Sequence, residues 1–247
     1  MKNFEKTQTN ELGQIVGAAV TDNTPVIYKQ ADLTGENVRL ISVSNEILTE
    51  ELVTKLYQTV QSEPNTGCWT YLPYTPPTSQ EDLNNRLNNR FGFTFSEPSY
   101  LYIIENKGEY LGWLALINQR SKERSIEVGN VYFSHKLRQT KTATETLYLI
   151  LKSCFDQKFR RVEWKCDGLN LASRRAAERF GFVFEGEFRQ DRMTKGRNRN
   201  TQWLSILDEE WTNAEKAYIS WLRVDNFDEN GNQKQKLSDL MYSSRDD

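Results

Sequence analysis

The chain has 247 residues, enough for one large domain or two small ones with a substantial core. Its 32 Lys and Arg residues nearly balance its 34 Asp and Glu residues, and the formal net charge is -2. This balance argues against a general nucleic-acid-binding protein, which is usually basic. No apolar run is long enough to cross a membrane, and the N-terminus carries no apolar signal core. We therefore expect no nucleic-acid partner, no membrane partner and a cytoplasmic location, with the nucleus left open.

The cysteine and histidine content limits the available chemistry further. Cys68, Cys154 and Cys166 are odd in number and far apart, which favours reduced, mostly buried thiols of an intracellular protein over a disulfide frame or a metal site. His135 is the single histidine, so a Ser-His-Asp mechanism would have to use it, and a multi-histidine metal site is excluded. We expect no metal.

The first half of the chain predicts an extension, a strand and two helices. Residues 1–36 are polar with short apolar patches, and we expect an extension that packs on the domain or is partly ordered. Residues 37–43 predict a strand, and apolar residues at helical spacing predict a helix over about 46–62. A loop rich in aromatic residues and prolines follows. Thr78 and Glu81 then have the spacing of a capping box, which predicts the start of a second helix.

The period of the apolar residues changes in the second half. The segments SYLYIIE, YLGWLALI and SIEVGNVYF predict three strands. Leu147, Ile150, Leu151, Cys154 and Phe155 then form one buried stripe of an amphipathic helix. RVEWKC predicts a further strand and SRRAAERF a further helix.

The last part of the chain predicts a strand pair, a helix and a tail. Gly181 ends the preceding helix as a left-handed cap, and FVFEGEF and NTQWLSIL predict the two strands. A helix near 209–222 follows, and from Asn226 we expect a polar, mobile tail. The order β-α-α-β-β-β-α-β-α-β-β predicts one α/β domain over about 39–211, with a mixed sheet covered by helices.

Three motifs stand out within this order. EVGNVYF followed by RQTKTATE joins a central strand to a loop and a helix, NLASRRAAERFGF opens the next helix, and a strand pair closes the domain. Together these motifs resemble the GNAT superfamily of acyl-CoA-dependent N-acetyltransferases. WTYLPY, EWKCDGLN, FEGEFRQ and KGRNR further resemble a poorly characterised subgroup within the branch of ribosomal-protein N-terminal (alanine) acetyltransferases.

This resemblance implies a fold and a reaction. The fold is a mixed, mostly antiparallel twisted sheet of about seven strands, flanked by about four helices, with a further C-terminal helix. Residues 1–36 form the extension, 37–211 the N-acetyltransferase domain, and 212–247 the C-terminal helix and polar tail. The reaction moves an acetyl group from acetyl-CoA to a primary amine by direct attack in a ternary complex. The acceptor stays open between a protein N-terminus and a small-molecule amine, and the assembly between a monomer and a homodimer.

The resemblance also assigns residues to acetyl-CoA. Backbone N–H groups of the loop would face the pyrophosphate, with charge from Arg138 and Lys141. From the loop alone, an ordinary polar loop that enters a core helix is the better interpretation, and the neighbouring motifs reverse that preference. The implied residues are Val131, Tyr132, Phe133, Arg138, Gln139, Thr140, Lys141, Thr142, Ala143, Thr144, Asn170, Ser173 and Arg175.

The chain departs from the family pattern at two places. The usual loop is R-G-x-G-x-A, and here Gln139 and Lys141 stand where glycines are common. Glycine is required where φ is positive or a Cβ would strike the ligand, so we expect this loop to bend with αR-like angles. Ala177 stands where many members have a tyrosine that protonates the leaving thiolate. The ribosomal-protein branch also lacks that tyrosine and keeps Asn and Ser instead.

Four residues are candidates for the chemistry. Asn170 and Ser173 fit a helix cap, and the resemblance adds that the amide contacts the acetyl-pantetheine end while the hydroxyl lies near the sulfur. Glu127, in an otherwise apolar strand, is either exposed on one face or a partly buried general base. Asp167 at the end of the next strand is the rival base. His135, expected in a solvent-facing loop, ranks below both.

Aromatic and basic residues are candidates for the acceptor site. Trp69, Tyr71 and Tyr74 either pack in the core or line a pocket, and their proline-rich loop favours the pocket. The segment from Arg189 to Arg199 is either a solvated hairpin, which is the better interpretation, or a basic rim that attracts an acidic acceptor or the 3′-phosphate of the cofactor.

Two rival functions remain beside the enzyme. A non-catalytic acyl-CoA-binding or sensor protein would keep the pocket and lack the chemistry. The missing glycines and tyrosine favour this alternative. An α/β interaction module would bind no ligand at all.

Overall fold

Ten strands and six α-helices make up the described part of the chain, residues 6–43, 47–92 and 98–243, in this computed structural model. Strands β1 (Thr7–Thr9) and β2 (Ile15–Gly17) form a separate antiparallel hairpin. The strands of the main sheet are β3 (Leu33–Thr34), β4 (Arg39–Ser42), β5 (Tyr100–Asn106), β6 (Glu109–Arg120), β7 (Ser125–Phe133), β8 (Arg161–Asp167), β9 (Val183–Thr194) and β10 (Arg197–Leu207). The helices are α1 (Glu50–Gln61), α2 (Gln80–Asn88), α3 (Lys141–Asp156), α4 (Leu171–Arg179), α5 (Asp208–Leu222) and α6 (Leu237–Ser243).

The main sheet has the strand order β3-β4-β5-β6-β7-β8-β10-β9. Its neighbours run antiparallel except β7 and β8, which are parallel. This mixed, mostly antiparallel sheet confirms the predicted fold class. The strand beyond the predicted seven is the two-residue β3, which pairs Leu33 with Leu40.

Helices cover both faces of the sheet. The predicted stripe of α3 is buried on one face, together with residues of α4, α5 and α6. On the other face, α1 and α2 pack on β4, β5 and β6. Fully burying one large apolar side chain contributes about 1.5–3 kcal/mol, so these two layers are the main favourable term that holds the sheet. Within the described ranges, no helix combines the length and apolar character needed to cross a bilayer.

The segment of residues 28–37, which contains β3, is bound to the domain through α3. Tyr28 is buried, and its hydroxyl lies 2.7 Å from that of Ser153. The Glu145 carboxylate accepts hydrogen bonds from the backbone N–H groups of Glu36 at 2.6 Å and Asn37 at 2.9 Å. This part of the predicted extension therefore packs on the domain.

Two helix starts refine the predictions. The helix predicted over about 46–62 is α1, which begins at Glu50 because Thr49 caps it, and residue 46 lies outside the described residues. The predicted capping box of α2 is wrong by one residue. Ser79 is the N-cap, since its backbone is extended and its hydroxyl accepts from the N–H of Asp82 at 3.0 Å.

The expected mobile tail contains structure. Asn226 is buried, and its side chain bonds the backbone of Trp221 and Gln235, which folds the segment back on α5. Leu237 and Met241 of α6 then lie in the core. The prediction failed because this helix is short and its apolar residues are few.

Candidate functional site

The parallel pair of β7 and β8 opens into a gap halfway along the strands. Residues 125–128 pair with residues 161–164, and the pairing of the two strands ends there. A β-bulge marks the divergence, because Asn130 and Val131 together lie opposite Leu114, and Asn130 has a φ of 50°. Beyond residue 128 the facing backbone groups of β7 and β8 are therefore not bonded to each other.

The loop of residues 134–140 leads from this gap to the N-terminus of α3. Thr140 caps the helix, since its hydroxyl accepts from the N–H of Ala143 at 3.1 Å. The N–H groups of Lys141 and Thr142 find no acceptor within the described residues. The first turn of α3 therefore presents free donors and the positive end of the helix dipole, the usual features of an anion site.

Gln139 corrects the expected backbone of this loop. Its φ is 64°, in the left-handed region, where αR-like angles were expected. It occupies a glycine position of the family pattern. The chain must turn sharply before Thr140, which is extended at φ -98° and ψ 165°. A non-glycine residue in such a conformation costs about 1–3 kcal/mol and persists only when its surroundings fix it.

The two cations predicted to bind phosphate contact other groups. Arg138 donates to the carboxylate of Glu63 at 2.6 Å. The Lys141 ammonium lies 5.1 Å from the centre of the Phe227 ring, in the segment expected to be mobile. No carboxylate of the described residues lies within ion-pair distance of Lys141, so its charge is available to an anion.

The other loop and strand residues assigned to the cofactor are mostly covered. Thr142 accepts from Asn106, and Thr144 accepts from Arg179, each at 3.1 Å. Ala143 is buried. Among the strand residues, Tyr132 is buried while Val131 and Phe133 are half-buried, and on α4 Arg175 is exposed.

The end of β8 and the start of α4 bring together three of the chemical candidates. The Asn170 side chain accepts from the N–H of Ser173 at 3.1 Å, so the predicted cap is present. The Ser173 hydroxyl lies 3.0 Å from the indole nitrogen of Trp164, which donates to it. Asp167 accepts from the N–H of Leu169 at 2.9 Å and is half-buried. All three lie where β8 has diverged from β7.

Glu127 lies on the α1 face of the sheet within a buried ion pair. Its carboxylate accepts from Asn118 at 2.7 Å and lies 2.8 Å from the ammonium of Lys165. The side chains of Glu127 and Lys165 are 7% and 8% exposed. Lys165 also lies 3.7 Å from the centre of the Trp203 ring, a cation–π contact. The structure thus buries Glu127 as a base would require, but also pairs it with a cation.

Glu163 lies beside this pair, directly opposite Glu127 in the parallel register. It accepts from Arg120 at 2.6 Å and from Arg161 at 2.8 Å. Burial alone would raise the pKa of Glu163, but these hydrogen bonds and the charge of Lys165 outweigh it and lower the pKa. The face therefore carries a continuous network of acids and cations.

The aromatic loop, which carries Trp69, Tyr71 and Tyr74, covers the same face. Trp69 is buried and stacks on Tyr132 with ring centres 4.7 Å apart. Tyr74 donates to the side-chain oxygen of Asn130, and Tyr71, at the surface, donates to the carbonyl of Leu169 at 3.2 Å. Trp69 thus belongs to the core, whereas Tyr71 and Tyr74 bridge to the two diverging strands.

Lys195 of the basic hairpin contacts this loop. The Lys195 ammonium donates to the carbonyl of Trp69 at 2.6 Å, and burial lowers the pKa of Lys195. Arg189 is exposed.

The side-chain nitrogens of Asn130 (Nδ2) and Trp203 (Nε1) are buried and have no acceptor within the described residues. Such donors are free to meet a ligand.

A family model of the acetyltransferase (GNAT) domain matches residues 47–183, more than half of the chain. The chain belongs to the GNAT acetyltransferase family. This confirms the predicted resemblance and the prediction of an enzyme, and acetyl-CoA is the acetyl donor of the family. Among curated protein sequences, none matches this acetyltransferase significantly.

Solved structures agree with this assignment. A GCN5-related N-acetyltransferase from Brucella melitensis is 33% identical, with a TM-score of 0.83, over 90% of this acetyltransferase and 100% of the other chain. A probable acetyltransferase of the GNAT family from Chromobacterium violaceum is 32% identical, with a TM-score of 0.71, over 80% and 96%. RimL, a ribosomal L7/L12 α-N-protein acetyltransferase in complex with coenzyme A, is 18% identical, with a TM-score of 0.60, over 72% and 98%. At that identity the last likeness shows the shared fold alone.

Sequence reasoning missed several residues of the site in this GNAT acetyltransferase. Asn130 is one, since nothing in the sequence shows a bulge or a left-handed asparagine within a strand. Glu63 is another, because its contacts come from residues about 70 positions later. Lys165 left a readable signal, because Glu163 and Lys165 alternate with apolar residues in β8 and so share one face.

Proposed function

We propose that this GNAT acetyltransferase transfers the acetyl group of acetyl-CoA to a primary amine by direct attack in a ternary complex. The observation that carries the proposal is the gap between β7 and β8, which leads on one side to the free N–H groups of α3. On its other side lies the aromatic and charged face built by Tyr74, Glu127 and Lys165. Two reactants can therefore meet at the gap from opposite sides.

The residues present fit an acyl-CoA. The free N–H groups of Lys141 and Thr142, with the unpaired Lys141 ammonium, suit a pyrophosphate. The diverging strand ends offer backbone groups to an extended pantetheine arm. When bound, acetyl-CoA supplies the activated thioester.

The chain's own groups have separate tasks in this reaction. Glu127, directly or through a water, or Asp167 in its place, takes the proton of the ammonium acceptor. The Asn170 amide and the Ser173 hydroxyl lie at the strand end, where they stabilise the charge that develops on the carbonyl oxygen and on the sulfur. Tyr71, Tyr74 and Arg189 border the acceptor side, with Trp69 packed behind them in the core. The acceptor is a protein N-terminus or a small-molecule amine, and the enzyme acts as a monomer or a homodimer in the cytoplasm.

Calorimetry with CoA and thiol release from acetyl-CoA test this proposal. Wild type should bind CoA and release free thiol with at least one member of a panel of amines. Lys141→Glu should weaken CoA binding by about tenfold or more, because it replaces the free cation with a like charge while an acid at a helix start remains favourable. Lys158→Glu, with the same charge change beyond the other end of α3, is the matched control and should bind normally.

The outcomes separate the proposal from its rivals. CoA binding without thiol release for any amine would indicate a sensor protein. No CoA binding by folded wild type would indicate an interaction module and would overturn the proposal.

A further inference from the structure

The loop of residues 134–140 holds a conformation that its own sequence disfavours. Gln139 has a φ of 64°, and the loop contains no glycine to adopt such an angle without strain. A strained residue at a ligand site persists when surrounding contacts fix it. The question is which contacts do so here.

Glu63 supplies buried side-chain contacts that join the loop to the rest of the domain, beside the backbone bond from the N–H of Ser134 to the carbonyl of Leu111 at 3.1 Å. It lies two residues after α1, and its side chain is only 5% exposed. Its carboxylate accepts from the hydroxyl of Tyr132 at 3.1 Å, from the backbone N–H of His135 at 2.9 Å and from Arg138 at 2.6 Å. One buried carboxylate thus holds the end of β7, the first half of the loop and the residue directly before Gln139.

The other contacts of the loop are apolar, exposed to solvent or internal to the loop. Leu137 is buried and anchors the apolar side of the loop. Lys136 pairs with Glu109 at 3.4 Å, but these side chains are 47% and 63% exposed, so solvent screens the pair. Inside the loop, the hydroxyl and the N–H group of Thr140 donate to the carbonyl of Leu137 at 2.7 and 3.3 Å, which closes a turn around Gln139 but adds no polar bond to the rest of the domain.

We propose that Glu63 is a positioning residue for acetyl-CoA, which holds the strained, glycine-free loop in the conformation that binds the pyrophosphate. This inference rests on the proposed function. A carboxylate beside a phosphate site would repel the ligand if it were unpaired. Here Arg138 neutralises the carboxylate, so the pair fixes the conformation of the loop. The free N–H groups and Lys141 bind the pyrophosphate.

A rescue experiment tests this role directly. Glu63→Ala removes all three contacts and should raise the Kd for CoA about tenfold, the size expected when a strained conformation must form on binding. Gln139→Gly removes the strain, so the double variant Glu63→Ala/Gln139→Gly should return to within about threefold of wild type. Glu109→Ala, which removes the other acid that contacts this loop, should bind normally. For turnover, Glu63→Ala should raise the KM for acetyl-CoA and leave kcat nearly unchanged.

Glu63→Gln covers the case in which Glu63→Ala does not fold. It keeps an oxygen acceptor for His135 and loses the ion pair with Arg138. We expect a rise in Kd of about threefold that Gln139→Gly also reverses.

Each contrary result has a distinct meaning. If folded Glu63→Ala binds CoA like wild type and loses only thermal stability, Glu63 is structural and the inference fails alone. If Gln139→Gly does not restore binding in either background, loop strain is not what Glu63 controls, and the inference also fails. If wild type ignores CoA, the proposed function fails and this inference with it.

Discussion

At the scale of single residues, Glu127 shows how far a sequence pattern reaches. The sequence predicted that Glu127 lies in an otherwise apolar strand, and it reduced the environment of this acid to two alternatives, exposed on one face or partly buried. Its partner was not, because Lys165 reaches Glu127 only through the pairing of two strands more than 30 positions apart. The same holds for Asn130 and Tyr74, whose contact depends on a bulge and a loop far apart in the chain.

Glu127→Gln should lower kcat and remove the acid limb of the pH–rate profile if Glu127 takes the proton of the acceptor. The change keeps the hydrogen bond from Asn118 and nearly the same volume, so the fold should survive. Thiol release measured across the pH range gives the profile, with folding followed by circular dichroism.

Glu163→Gln is the matched control for this variant. It alters the facing acid of the same network, so it should lower stability while the acid limb persists. An unchanged limb in Glu127→Gln would move the role to Asp167 or to water.

At the scale of elements, periodicity predicted most helices and strands, and side-chain bonds decided where they begin. The stripe of α3 was correct because apolar spacing alone defines a buried face. The start of α2 was misplaced because Thr78 and Ser79 can both cap a helix, and only backbone angles separate them. The divergence of β7 from β8 could not be predicted, because both segments have the pattern of strands and no residue type in β7 indicates the bulge at Asn130.

Asn170→Asp separates the two roles of the residue that caps α4. The acid keeps an oxygen that accepts from Ser173, and it suits a helix N-terminus, so stability should be retained. The side chain loses its N–H donor, so turnover should fall by about 10²–10³ if that donor stabilises the transition state. Thermal unfolding and thiol release are to be measured on the same samples.

Asn170→Ala completes the comparison, because it removes cap and donor together and should lose about 1 kcal/mol of stability as well. If Asn170→Asp turns over as fast as wild type, Asn170 only caps α4 and does not stabilise the transition state.

At the scale of the whole molecule, one face of the sheet packs against α3 to α6, while the other changes from apolar under α1 and α2 to charged over β7, β8 and β9. Two acids of the charged part, Glu163 and Glu185, have lowered pKa values. For Glu185 the hydrogen bond from Arg161 is the main cause, and burial opposes it. For Glu163 burial is the largest influence and opposes the shift, which the bonds from Arg120 and Arg161 produce.

Stability should therefore fall in acid. An acid whose pKa is lower in the folded state stabilises fully above its ordinary pKa, which is 4.5 here, and loses that contribution as the pH falls through the folded value. Arg161→Gln removes a partner of both acids and should flatten the decline of Tm below about pH 4.5. Arg223→Gln, which breaks an exposed pair with Asp225, should change it little. If the Tm of Arg161→Gln falls with pH as steeply as that of wild type, groups other than Glu163 and Glu185 cause the acid sensitivity.

The position of β10 has a consequence for how the chain is made. β10 is synthesised last among the strands, yet it lies between β8 and β9. While the nascent chain ends before residue 197, the outer edge of β8 has no strand beside it, and β9 has nothing to join. An unpaired edge of this kind recruits strands from other molecules. The family match ends at residue 183, the first residue of β9, and so leaves out nearly all of the closing hairpin. A chain that ends there would contain the whole loop of residues 134–140 with α3 and α4. We would still expect it to aggregate through the exposed edge of β8.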